Sequence, residues 1–179
     1  KSKVFYKAES LKELVNFLKK IDNKEKIFTI GAGSNTLISD NLFDGIVIKL
    51  GKSFNNISLL DGDIIIAGSA VLDKNLSNFA ADNSLSGFEF LSCIPGTIGG
   101  GIRMNAGCFG REFKNILISV QAIDELGNVV TIPSEDIIFD YRKSNLSNNL
   151  IFLSASFKGI KSKSNEIKKE MEKLKKQKS

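Results

Sequence analysis

The sequence predicts an α+β protein made of a small β-α-β lobe and a larger lobe built on a mixed or antiparallel sheet. In residues 4–50, apolar strand-like runs are separated by a helical pattern and a glycine loop, which favours parallel pairing with a right-handed crossover. Beyond residue 55, short turn signals such as Asp61-Gly62 separate the apolar runs, which favours antiparallel hairpins. We therefore expect lobes at 1–52 and 53–160, followed by a basic helix at 161–179.

The small lobe is predicted to begin with a strand at Val4-Phe5-Tyr6. Ser10 and Glu13 form a capping-box pattern that opens a helix, because Ser at the cap and Glu three residues later satisfy the first free N–H groups. Apolar runs at 27–30 and 45–50 predict the next two strands.

The larger lobe is predicted to contain two hairpins, 56–67 turning at Asp61-Gly62 and 116–132 turning at Gly127. A helix is expected over 72–83, since Leu76, Phe79 and Ala80 recur at helical spacing. Ser134 is expected to cap a short helix, Ile151 to Phe157 to form the last strand, and residues from Ser164 onward to form a lysine-rich helix with a narrow apolar stripe.

Two glycine-rich loops carry the functional signal. Gly31-Ala32-Gly33-Ser34-Asn35 follows the strand at 27–30, and a second block runs from Ile94 to Gly101 and on through Asn105-Ala106-Gly107. Such loops expose backbone N–H groups without bulky side chains, which is what a phosphate or pyrophosphate needs. Two cradles in one small protein indicate a large dinucleotide that lies in the crevice between the lobes.

Several common sites do not fit these residues. A Rossmann fingerprint needs Gly where Thr36 stands, and no glycine loop carries the lysine of a P-loop. The chain contains no His, which excludes a Ser-His-Asp triad and argues against a zinc site, so no metal is expected.

The net charge of +5 is confined to one end of the chain. Residues 161–179 contain eight Lys and three Glu, whereas the other 17 basic and 17 acidic residues balance. A neutral body with a basic terminal helix does not indicate nucleic-acid binding. No apolar run is long enough to span a membrane, and two cysteines without metal-ligand spacing fit a reduced cytoplasmic protein.

Five motifs in order and approximate spacing resemble the UDP-N-acetylenolpyruvoylglucosamine reductase (MurB) family, and the resemblance covers residues 1 to about 175. The motifs are the first glycine loop, Gly87-Phe88-Glu89, Ile94-Pro95-Gly96-Thr97-Ile98-Gly99-Gly100, Asn105-Ala106-Gly107 and Tyr141-Arg142-Lys143-Ser144. The resemblance implies a two-subdomain FAD-binding fold of the p-cresol methylhydroxylase type. One departure is Phe109, where many members have Tyr.

The resemblance also assigns site residues. Non-covalently bound FAD would be contacted by Gly31, Ala32, Gly33, Ser34, Asn35, Ser92, Ile94, Pro95, Gly96, Thr97, Gly99, Gly100, Asn105, Ala106, Gly107 and Ile151. Arg142 would be catalytic, because a guanidinium forks onto a substrate carboxylate as negative charge develops. Tyr141 would contact the substrate. Arg103 is left between neutralising a phosphate and pairing with Glu89.

The implied activity is an NADPH-dependent, cytoplasmic oxidoreductase of peptidoglycan synthesis, and hence of cell-wall biogenesis, cell shape and division. It reduces the enolpyruvyl double bond of a UDP-sugar, and we expect a monomer. Family members carry an earlier segment and a later substrate domain, so the chain resembles a fragment truncated at both ends, with 161–179 as a connector helix, and is expected to be inactive alone. Two alternatives stay open: an FAD-linked oxidase of the same fold, and a non-catalytic nucleotide-binding module.

Overall fold

A computed structural model describes residues 2–22 and 24–178 of the chain. The described residues form four helices: α1 Leu11–Leu18, α2 Asp73–Asp82, α3 Ile98–Arg103 and α4 Ser164–Lys178. They also form fourteen strands: β1 Ser2–Ala8, β2 Ile27–Ile30, β3 Phe43–Leu50, β4 Ile57–Leu60, β5 Ile64–Gly68, β6 Leu85–Ser86, β7 Gly107–Cys108, β8 Arg111–Glu112, β9 Leu117–Ile123, β10 Val129–Pro133, β11 Phe139–Asp140, β12 Lys143–Ser144, β13 Ile151–Lys158 and β14 Ile160–Lys161.

The small sheet has the order β1-β3-β2, and both pairs are parallel as the β-α-β pattern predicts. Helix α1 starts where expected, since the Ser10 hydroxyl accepts a hydrogen bond from the Glu13 N–H. The Glu13 carboxylate accepts the N–H of Glu9 rather than that of Ser10, one residue outside the ideal capping box. Leu14 and Leu18 bury the inner face of the helix.

The large sheet has the order β10-β9-β13-β5-β4, and every pair in it is antiparallel. The hairpin β4–β5 turns at Asp61 and Gly62, whose φ angles are 24° and 79°. The Asp-Gly signal predicted the place of this turn correctly, because both residues accept a positive φ; the loop between the paired residues Leu60 and Ile64 has three residues, Asp61 to Asp63, rather than the two expected.

The two sheets share part of their packing. Ile123, Ile151 and Leu153 of the large sheet lie in the same apolar cluster as Ile48 and Leu14 of the small lobe. A second cluster fills the large lobe, and in it Phe113 packs edge-on against both Phe90 and Phe157. The division at 52/53 and 160/161 stays a prediction.

Helix α4 is packed against the body of the protein. Ile167, Met171 and Leu174 of its apolar stripe are buried, and the first two cluster with Ala81 of α2. The lysines occupy the opposite, exposed face, as an amphipathic helix requires. No helix formed by residues 2–22 and 24–178 is both long and apolar enough to cross a bilayer.

Two local predictions need correction. Ser134 lies inside a 3₁₀ turn, Ser134–Asp136, whose cap position is held by Pro133, so its hydroxyl caps nothing there. Strand β13 is also not the last strand, because β14 follows it and pairs with β6. Both elements are two or three residues long, too short to give a periodic pattern.

Candidate functional site

The two glycine loops meet in space although about sixty residues separate them. The Ser34 hydroxyl donates a hydrogen bond to the Pro95 carbonyl at 2.9 Å. At the start of the first loop, directly after β2, a Cβ atom on Gly31 would lie 2.3 Å from Oγ1 of Thr97, so only glycine allows this approach. The loops therefore form one structural unit between the small sheet and α3.

This unit forms one wall of a cleft of about 430 Å³. The cleft lies at the ends of β2 and β3 and is closed by the segment after β5 and by α3. Its lining consists of Thr29, Ile30, Gly31, Ala32, Lys49, Leu50, Ser69, Ala70, Leu72, Thr97, Gly99, Gly100, Arg103, Leu150 and Phe152. Five of the residues predicted to contact FAD are among them: Gly31, Ala32, Thr97, Gly99 and Gly100.

The donor set fits a diphosphate. The N–H groups of Ala32, Gly33 and Ser34 donate to no group within residues 2–22 and 24–178, and all three residues are exposed. Lys49 and Arg103 supply positive charge at the cleft. Free N–H groups beside bare glycine backbone and cations are what phosphate oxygens require, so these residues fit the dinucleotide cofactor that the sequence predicts.

Arg103 does not pair with Glu89 in the described structure, and its role in neutralising a phosphate stays a prediction. Its guanidinium donates to the carbonyls of Leu146, Ser147 and Leu150 at 3.0, 2.7 and 2.7 Å. It also lies 4.2 Å from the centre of the Phe152 ring. Burial lowers the pKa of Arg103 from its ordinary value. The side chain thus holds the 146–150 loop beside the cleft that Arg103 lines.

Glu89 is held by the backbone of its own turn. Its carboxylate accepts the N–H of Gly87 at 2.8 Å, within the turn that precedes the second glycine block. In the same turn, the Ser92 hydroxyl donates to the Glu89 carbonyl at 2.7 Å, so Ser92 is engaged locally. Ser92 is outside the cleft lining, and its cofactor role stays a prediction.

The Asn105-Ala106-Gly107 motif lies behind the cleft. The Asn105 side chain is fully buried and bonded at both ends to other protein groups. Ala106 is also buried, and Gly107 begins the short hairpin β7–β8. Asn35, Ile94, Pro95, Gly96 and the three residues of this motif are not among the residues that line the cleft, and their contacts with FAD stay predictions.

Ile151 points away from the cleft. Its side chain is 2% exposed and belongs to the apolar cluster of the small lobe. Its neighbours Leu150 and Phe152 line the cleft instead. Successive side chains of a strand face opposite sides, so a shift of one residue exchanges a cleft position for a core position.

Tyr141 and Arg142 form the tip of the hairpin β11–β12. Tyr141 is 80% exposed, and Arg142 has a φ of 55° with its guanidinium 5.7 Å from the Tyr141 ring. Below the tip, the Ser144 hydroxyl donates to the Arg103 carbonyl at 3.0 Å, and the Asn145 side chain accepts the Ile138 N–H at 2.9 Å. Ser144 and Asn145 thus order the turn, while the charged tip is open to a ligand.

Sequence reasoning missed the wall of the cleft that follows β5. Ser69, Ala70 and Leu72 line it, and the Ser69 carbonyl accepts the N–H of Gly99 at 2.9 Å. The signal was a strand that ends in small residues, the same signal that marked the first glycine loop.

Sequence reasoning also missed Asp73, whose carboxyl group has a strongly raised pKa. The residue is 0% exposed, and neither carboxyl oxygen has a hydrogen-bond partner among the described residues. Burial raises the pKa of Asp73 to about 7. Oδ2 lies 3.0 Å from where a Cβ on Gly96 would stand, directly beneath the second glycine loop.

Comparison with known proteins agrees with this geometry. The family described as "FAD binding domain" matches residues 2–133. The UDP-N-acetylenolpyruvoylglucosamine reductase of Pelagibacter ubique is 61% identical over 177 residues, which are 99% of this chain and 59% of that protein. The protein of the same name from Rickettsia canadensis is 47% identical, over 93% of this chain and 56% of that protein. The chain thus spans less than two thirds of the length of these relatives.

Solved structures agree as well. The UDP-N-acetylenolpyruvylglucosamine reductase (MurB) of Thermus caldophilus superposes with a TM-score of 0.84 at 28% identity, over 97% of this chain and 61% of that one. A Cu,Mo-CO dehydrogenase shares only the fold, with a TM-score of 0.63 at 14% identity over 90% of this chain and 61% of that one. The predicted two-subdomain fold and the resemblance to the reductases are therefore confirmed. The chain belongs to the FAD-binding domain family, and reductases named UDP-N-acetylenolpyruvoylglucosamine reductase are among its relatives.

Proposed function

We propose that this chain is the FAD-binding part of a reductase that converts UDP-N-acetylglucosamine enolpyruvate to UDP-N-acetylmuramate in peptidoglycan synthesis, with NADPH as the electron donor. The observation that carries the proposal is the union of the two glycine loops, joined by Ser34 and Pro95 on one cleft. The 61% identity to a reductase of that name supports the substrate class.

FAD bound in this cleft would supply the chemistry of accepting a hydride from NADPH and delivering one to the enolpyruvyl double bond. The chain's own residues hold the cofactor. The free N–H groups of Ala32, Gly33 and Ser34 would donate to its phosphate oxygens. Gly99 and Gly100 allow it to lie against bare backbone, and Leu150 offers an apolar surface to its rings.

Arg142 would act on the substrate. A guanidinium is permanently charged and offers several donors in a planar fork, which matches a carboxylate. As the double bond is reduced, negative charge builds toward the carboxylate, and a fixed cation stabilises that charge more than it stabilises the substrate. The exposed Tyr141 ring beside it would pack against the sugar or the enolpyruvyl group.

The remaining parts of the proposal concern the cell and the assembly. We propose a monomeric protein of the cytoplasm. Two free cysteines, Cys93 and Cys108, support a reducing compartment. Gel filtration tests the monomer, and comparison of NADPH with NADH as donor tests the choice of co-substrate.

The experiment has two stages. First, the purified chain is mixed with FAD and passed over gel filtration, and the visible flavin bands should co-elute with protein. Second, the chain is joined to the C-terminal part of the Pelagibacter ubique relative, and NADPH oxidation is followed with and without the UDP-sugar enolpyruvate. Substrate-dependent oxidation supports the proposal. A hybrid that binds FAD but oxidises NADPH only with oxygen would favour an oxidase of the same fold.

A further inference from the structure

The Asn105 side chain makes three hydrogen bonds beside the site. It is 0% exposed and has a φ of 40°, a left-handed conformation that asparagine tolerates better than most residues. Its amide nitrogen donates to Oε2 of Glu112 at 3.1 Å and to the Asp140 carbonyl at 3.3 Å. Its amide oxygen accepts the Lys114 N–H at 3.2 Å. One side chain thus joins two hairpins that share no strand.

The contact with Asp140 bears on the charged hairpin tip. Asp140 directly precedes Tyr141 and Arg142, so the bond fixes the first arm of the hairpin β11–β12. The second arm is held from the same short segment, because Ser144 bonds to the Arg103 carbonyl. Arg142 in turn lies close enough to Glu112 to help lower the pKa of that carboxyl, after the larger effects of Lys114 and Asn105.

The segment that holds the hairpin is continuous with the cleft. Helix α3 carries Gly99 and Gly100 in the lining, and it ends at Arg103, two residues before Asn105. The hairpin tip is therefore placed relative to the glycines of α3 by the short segment from Arg103 to Asn105. Two hydrogen bonds make the connection, from Asn105 to the Asp140 carbonyl and from Ser144 to the Arg103 carbonyl.

We infer that Asn105 is a positioning residue, which sets the place of the Arg142 hairpin relative to helix α3 by holding Asp140 and Glu112, and does not itself contact the cofactor. Its catalytic meaning rests on the proposed function of Arg142, whereas the placement stands on the hydrogen bonds alone. Only an amide can fill this position, because it must donate to a carboxylate and a carbonyl and accept from an N–H at the same time.

The test compares Asn105→Asp with Asn128→Asp. The first variant keeps the acceptor for Lys114 but loses both donated bonds and sets a carboxylate beside Glu112. The control makes the same change on the remote hairpin β9–β10, where Asn128 donates to Asp124. Amide hydrogen exchange, read by mass spectrometry on the FAD-loaded chain, should accelerate about tenfold over residues 138–145 in the first variant only. FAD affinity should stay within about threefold.

Two outcomes would overturn the inference. One is unchanged exchange over 138–145. The other is a loss of FAD affinity of tenfold or more without faster exchange there, which would mean that Asn105 contacts the cofactor. If Asn105→Asp does not fold, the unsubstituted chain decides by NMR: the Asn105 side-chain amide protons should exchange slowly and show cross-relaxation with the backbone of Asp140, and their absence refutes the placement. If the chain does not bind FAD, the proposed function fails, but exchange without FAD still tests the inference.

In the hybrid enzyme, Asn105→Asp should lower kcat by at least tenfold at unchanged FAD content, because the cofactor is loaded but Arg142 is misplaced. A variant that loses FAD and activity together would instead indicate a direct role in the cofactor site. The two readouts separate positioning from cofactor binding.

Discussion

Replacing Asp73 by Asn should remove most of the pH dependence of stability above pH 5. Asp73 is fully buried, without a partner for either carboxyl oxygen among the described residues. Its pKa is raised from an ordinary 3.8 to about 7 by burial. The folded protein therefore holds a proton on Asp73 in a range where the unfolded chain has lost it.

The sign follows from proton linkage. Between these two pKa values the folded state binds more protons, so the free energy of unfolding falls as pH rises. The stability linked to the neutral acid is fully present below pH 3.8 and is lost as pH rises through about 7. Each tenfold step in proton affinity corresponds to about 1.4 kcal/mol, so the loss between pH 5 and pH 8 is on the order of 3 kcal/mol.

Other groups do not obscure this range. The chain has no His. The lowered pKa values of Glu9, Glu112 and Asp124, each caused mainly by hydrogen bonds, contribute stability that is present above their unfolded values and is lost only toward acid. Their contributions are therefore level between pH 5 and pH 8.

The assay is urea unfolding followed by circular dichroism at pH 5, 6, 7 and 8. Asp73→Asn should have a nearly level pH profile, so its free energy of unfolding should rise relative to that of the unsubstituted chain by on the order of 3 kcal/mol between pH 5 and pH 8. Asp82→Asn is the control, because Asp82 lies on the same helix but is exposed and paired with Lys168. A flat pH profile of the unsubstituted chain, or an equal slope in Asp73→Asn, would refute the reasoning.

Three further predictions follow from the packing. Gly101→Ala should lower the free energy of unfolding by about 1–3 kcal/mol in urea, since its Cβ would lie 2.2 Å from the Phe113 ring. Gly100→Ala should keep or slightly raise stability, but it should weaken FAD binding at the cleft in a flavin titration. Arg142→Ala should change the free energy of unfolding by less than about 0.5 kcal/mol and retain FAD, because the side chain is exposed. The kcat of the hybrid enzyme should fall by about 10²-fold or more. A hybrid that stays active would remove Arg142 from the mechanism. Met171→Ala should cost about 2–5 kcal/mol, because the side chain is 4% exposed between α4 and α2, and a cost near zero in urea unfolding would mean that α4 is not part of the packed body.

The cofactor loops were predictable because their chemistry is local. A strand followed by Gly31-Ala32-Gly33-Ser34 exposes N–H groups whatever the rest of the chain does, and the hairpin at Asp61-Gly62 follows from two residues that accept positive φ. The predicted cleft residues Gly31, Ala32, Thr97, Gly99 and Gly100 belong to such motifs.

The sequence was less informative where a residue's direction depends on distant segments. Ile151 was assigned to the site, but strand register turns it into the core and brings Leu150 and Phe152 to the cleft. The sequence left Arg103 between a phosphate and Glu89, whereas in the structure its guanidinium bonds to the carbonyls of Leu146, Ser147 and Leu150 and not to Glu89; the phosphate role stays a prediction.

The class of the fold, the two phosphate-type loops and the resemblance to a reductase family could all be inferred from the residues alone, since each depends on short-range patterns of residue type. Three relations required the folded protein: Ser34 bonds to Pro95, Asn105 holds the hairpin of Arg142, and Asp73 has no partner among the described residues beneath Gly96. These relations join residues from about twenty to sixty positions or more apart, and their hydrogen bonds and burial exist only once the two sheets have packed together.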